Sequence, residues 1–64
     1  MARSRHTLEQ RTVAALLNTS RRGFCLIRSR YIKEMQAMGY SHAEALDCYQ
    51  DVWDVAELQR MAAQ

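Results

Sequence analysis

Sixty-four residues and 7.4 kDa make one small domain, at the low end of what folds unaided. Apolar residues form 48% of the chain and charged residues 25%, with no Pro and two Gly; this excludes a disordered tail, a collagen-like repeat or a mucin-like stalk. The net charge of +2 conceals a division. From Met1 to Lys33 eight basic residues stand against Glu9 alone (+7), and from Glu34 to Gln64 six acids stand against Arg60 alone (−5). Such asymmetry fits a basic half that meets nucleic acid, or halves that attract each other within or between chains. Eight of the nine basic residues are Arg, the side chain suited to bidentate contact with phosphate or carboxylate. No apolar run approaches the roughly 20 residues of a membrane span, and MARSRHTLEQ lacks the apolar stretch of a signal peptide. Two cysteines without a CxxC make no disulfide framework, so the expected setting is a reducing cytoplasm, away from membranes.

The apolar spacing predicts an all-α, three-helix domain with helices at about 7–19, 23–38 and 41–62, preceded by a flexible basic arm over 1–6. Thr7-Leu8-Glu9-Gln10 has the form of a capping box for the first helix. That helix carries Leu8, Val13, Ala14, Leu16 and Leu17, and Asn18-Thr19-Ser20, poor helix formers, end it. In the second helix, at about 100° per residue, Phe24, Ile27, Tyr31, Met35 and Met38 fall within one arc and Arg22, Arg30 and Lys33 lie opposite. Leu26 falls among the basic residues; Cys25 and Ile32 lie outside the main stripe. Gly39 follows in the C′ position, where a left-handed conformation carries no Cβ penalty.

Ser41-His42-Ala43-Glu44 is a second capping box, with Tyr40 and Ala45 placed as a hydrophobic staple. Ala45, Leu46, Tyr49, Val52, Trp53 and Ala56 share one face of the third helix, and Trp53 is expected in the core. Glu44, Asp47, Asp51, Asp54 and Glu57 share the opposite face, where they repel one another unless something basic lies near. Leu58 and Met61 project from that acidic side. Either the helix bends near 51–54 or its end meets a partner.

Those patterns bound the chemistry. His6, Cys25, His42 and Cys48 lack the close ligand pairs of zinc sites, so the two cysteines read as small buried hydrophobes. Ser41 is committed to its cap, no acid is placed to orient His42, and no Gly-rich phosphate loop occurs; no enzyme, metal or cofactor is expected. The break at Gly39-Tyr40-Ser41 invites a helix-turn-helix reading, but the helix after it would carry Glu44, Asp47, Asp51 and Asp54 toward phosphates. Met35 would also crowd the turn. What survives for nucleic acid is non-specific phosphate contact by Arg3, Arg5, Arg21, Arg22, Arg28, Arg30 and Lys33, with the last five as the candidate contacts to phosphate or to an acidic partner. A core this small is thin without a disulfide or metal. Leu26, Ile32, Leu58 and Met61, together with Tyr40, are therefore assigned to a dimer or partner interface, and a homodimer is expected. The function expected is that of a regulatory or adaptor protein acting by protein contact; the alternative is a basic accessory protein on nucleic-acid phosphates.

Two resemblances extend this reading. Met38-Gly39-Tyr40-Ser41-His42-Ala43-Glu44-Ala45-Leu46 resembles the junction between the first two helices of ubiquitin-associated domains, a Met-Gly-Phe/Tyr turn before a Ser-capped helix with Glu-Ala-Leu. It implies the same helix-turn solution, and ubiquitin contact would fall on Met38, Gly39 and Tyr40. The family's Asn-rich turn has no counterpart, although Val55-Ala56-Glu57-Leu58 is similar to the Val-Glu-x-Ala run that follows it. In size, Arg-rich start and lack of a catalytic motif, the whole chain also resembles small early-region proteins of lambda-like temperate phages. That implies a regulator in the host cytoplasm, acting on a host or phage protein to modulate host physiology or lytic development.

Overall fold

Ser4 opens the first helix, α1 (Arg5–Asn18), in the computed structural model, which describes residues 4–19 and 23–63. Its backbone is extended and its Oγ accepts from the Thr7 amide at 3.1 Å. Thr7, expected as the cap, instead lies inside the helix with its hydroxyl 2.8 Å from Ser4 Oγ. Ser4 offers the same hydroxyl cap three residues earlier, and the added residues let Arg5 pair with Glu9 at 3.0 Å, one turn on. Arg5 and His6 therefore belong to α1 and not to a basic arm; positions 1–3 of that arm lie outside the described residues.

The inward row of α1 is Leu8, Thr12 and Leu16. Thr12 is absent from the expected apolar stripe. It enters the core because its Oγ1 donates to the Leu8 carbonyl at 2.7 Å, which leaves no donor unmet. Val13 is half-buried, whereas Ala14 and Leu17 reach the surface.

The second helix, α2 (Phe24–Ala37), follows Gly23, where a Cβ would run into the Thr19 side chain. It closes in a Schellman turn. Gly39 takes φ +100°, its amide donates to Gln36 O at 3.0 Å, and the Tyr40 amide donates to Met35 O at 3.1 Å. That turn brings Tyr40 back against the core, where it is half-buried.

Ser41 caps α3 (His42–Ala62) with both halves of the capping box: its Oγ accepts from the Glu44 amide at 3.1 Å and its amide donates to Glu44 Oε1 at 2.9 Å. The Ser41 amide and hydroxyl together hold the Glu44 carboxyl below its ordinary value. The helix runs unbroken for 21 residues through 51–54, so no interruption there accounts for Leu58 and Met61.

Each helix packs on the other two. The core is Leu8, Leu16, Tyr31, Ile32, Met35, Ala45, Tyr49, Val52 and Ala56. Ile32, assigned from the sequence to an interface, belongs here at 7% exposure. A helix in contact with two neighbours buries an arc wider than a single stripe, and Ile32 sits on the part added. The cysteines depart from expectation as well: Cys25 is exposed and Cys48 half-buried. Trp53 lies at the core margin, half-buried, with its ring edge-on to Phe24 at 5.0 Å. Tyr31 and Tyr49 pair at 5.6 Å in the centre.

Polar ties close the bundle. Arg11 reaches Glu34 at 2.9 Å, joining α1 to α2. Arg60 does more. Its guanidinium donates to Leu16 O at 3.1 Å and to Glu57 Oε1 at 2.7 Å, and lies 5.7 Å from the Phe24 ring centroid. The last turn of α1 holds no basic residue of its own, so a cation from α3 satisfies a terminal carbonyl and faces the negative end of that helix. Among the described residues there is no strand, and no helix is long and apolar enough to cross a membrane.

Candidate interaction surface

Folding the three apolar faces inward leaves several large apolar side chains outside. Leu26 is 75% exposed, Met61 67% and Leu58 66%; Val55 and Leu17 are exposed to a lesser degree. Of the four off-stripe residues assigned to an interface, three are thus at the surface and Ile32 is not. Tyr40, the fifth, is engaged already: the Schellman turn holds it against the core, and the Arg5 guanidinium lies 5.9 Å from its ring centroid. Of the three positions the ubiquitin-associated resemblance implicates, Met38 and Tyr40 are half-buried and Gly39 is exposed.

The exposed residues form two surfaces of opposite charge. On the outer side of α2, Leu26 stands with Arg30 and Lys33, one and two turns on, all exposed; Arg28, also exposed, lies about 200° round the helix from Leu26, on the side toward Tyr49. These three cations form no ion pair among the described residues; Arg21 and Arg22 lie outside those residues. The outer side of α3 changes along its length. Glu44, Asp47, Asp51 and Asp54 occupy the first turns, all exposed, and Val55, Leu58 and Met61 follow. Among the described residues, Glu57 alone of the five carboxylates on that face pairs with a basic residue, Arg60 within the helix.

Between α1 and α3 runs an open groove of about 420 Å³, which the sequence reading did not anticipate. Val13, Ala14 and Leu17 line it from α1, and Val52 and Val55 from α3. Glu9 and His6 border it on one side and Asp51 on the other. The signal in the sequence was faint. Val13, Leu17 and Val55 sit at the flanks of their helical stripes, and which flank meets a neighbour depends on how the helices pack.

Among the described residues, no three His, Cys, Asp or Glu side chains gather in a way that could hold a metal ion. No protein-family model, curated protein or solved structure matches the chain.

Proposed function

We propose that this chain is a small helical regulatory or adaptor protein with no catalytic task, acting as a homodimer that contacts a host or phage protein. One observation carries the reading: Leu26, Leu58 and Met61 remain 66–75% exposed on a 64-residue domain. Fully burying such a side chain is worth about 1.5–3 kcal/mol, so three of them favour association over isolation. Sedimentation of the full chain at micromolar concentration tests the dimer. The wild type should run above 7.4 kDa, and a variant with Leu26→Gln, Leu58→Gln and Met61→Gln should run as the monomer with unchanged helicity. A wild-type chain that sediments only at 7.4 kDa refutes the dimer.

The exposed cations Arg28, Arg30 and Lys33 favour one second reading, non-specific binding to nucleic-acid phosphates. Retardation of duplex DNA at low salt that vanishes near physiological salt would support it. Absence of retardation at low salt removes it.

A further inference from the structure

The α1–α3 groove differs from the exposed side chains above in having walls, an apolar floor and polar borders, with His6 and Glu9 on the α1 side, Glu9 already paired with Arg5. Val13, Ala14, Leu17, Val52 and Val55 supply the apolar surface. Along α3 the border is acidic: Asp51 lines the groove, and exposed Asp47 and Asp54 stand one turn before it and three residues after it. Neither Asp47 nor Asp51 forms an ion pair among the described residues, and Asp54 accepts only from Gln50 Nε2, at 3.1 Å. Leu58, three residues beyond Val55, prolongs the apolar strip past the groove end.

We propose that this groove docks an amphipathic helix of a partner protein, one whose apolar stripe is flanked by Lys or Arg on the side facing α3. This deepens the reading that the chain works by protein contact, and concerns a different face from Leu26. Charge complementarity selects the occupant. A helix laid between α1 and α3 covers the apolar floor, and its basic flank meets carboxylates that otherwise repel one another. An anionic membrane or nucleic acid would meet those same carboxylates as like charges. A second copy of this chain offers one helix face of suitable sign, Leu26 with Arg30 and Lys33. That face is on α2, the helix that does not line the groove, and a copy seated there is one of the outcomes the test separates.

The test uses two synthetic helical peptides with the same Leu stripe, one flanked by Lys and one by Glu, titrated into the full-length isotope-labelled chain. The Lys-flanked peptide should shift the amide resonances of Val13, Leu17 and Val55 and bind at least about ten-fold more tightly than its twin at low salt. In a variant with Asp47→Lys and Asp51→Lys, both exposed and outside the cap, the preference should invert while helicity is retained. Equal binding of the two peptides overturns the proposal, as does a Lys-flanked peptide that leaves the groove amides unmoved. Groove amides that shift on concentrating the chain alone would assign the groove to a second copy and likewise overturn it. A chain that sediments as a monomer yet discriminates the peptides would sink the homodimer and leave the groove intact.

Discussion

Replacing Tyr31 by Phe should stabilise this domain. The side chain is 1% exposed, and its hydroxyl is a buried polar group without a hydrogen-bond partner among the described residues. The ring itself is well used, 5.6 Å from Tyr49, and Phe keeps that contact. An unsatisfied buried hydroxyl costs about 1–3 kcal/mol, so its removal should recover about 1 kcal/mol, which in a domain of this size raises Tm by roughly 4–8 °C. The same burial, reinforced by the negative charge of Glu9, pushes the hydroxyl up from 10.0 to about 12. In the unfolded chain Tyr31 ionises near its ordinary value. The folded state therefore binds the extra proton between those two values, and wild-type stability falls as pH rises through that window by up to about 1.4 kcal/mol per unit. The Phe variant loses this part of the fall and keeps a residual one from Tyr49, whose hydroxyl burial also raises. Urea unfolding followed by circular dichroism, at neutral pH and through the alkaline window, measures both effects. A variant less stable than wild type at neutral pH would mean the hydroxyl has a favourable partner. Parallel alkaline curves would mean it is not desolvated, and either result refutes the reasoning.

Two further outcomes follow from the ties between helices. Arg60→Met keeps the aliphatic stem but removes the donor to Leu16 O and the cation beside Phe24; it should cost about 1.5–3 kcal/mol in urea unfolding, and a neutral result would show that the α1 terminus needs no cation from α3. Gly39→Ala should cost about 1–2 kcal/mol. A Cβ there meets nothing within 4 Å, so the whole effect comes from φ +100°, and Gly39→Asn, which tolerates that conformation better, should cost less in the same measurement.

Much of the fold was legible because its determinants are local. The run from Met38 to Ala45 specifies its own structure: a Gly that accepts positive φ, then Ser and Glu three apart, complete a Schellman turn and a capping box without help from distant residues. The apolar face of α3 and the stripe from Phe24 to Met38 follow equally from helical periodicity. At the start of the chain the same local chemistry was ambiguous, since Ser4 and Thr7 both make adequate caps.

Packing decided what lies off the centre of a stripe. Ile32 and Leu26 are both apolar and both stand away from the main arc of α2, yet one is buried and the other projects among Arg30 and Lys33. Thr12 could be admitted to the core only because the Leu8 carbonyl is at hand. Arg60 looked like a lone cation in an acidic segment, and its tie to Leu16 spans 44 residues. The α1–α3 groove exists for the same reason. A helix's own sequence determines which residues share its face, through rise and rotation per residue; how wide that face must be, and what it meets at its edges, depends on the angle and offset of helices brought together from elsewhere in the chain.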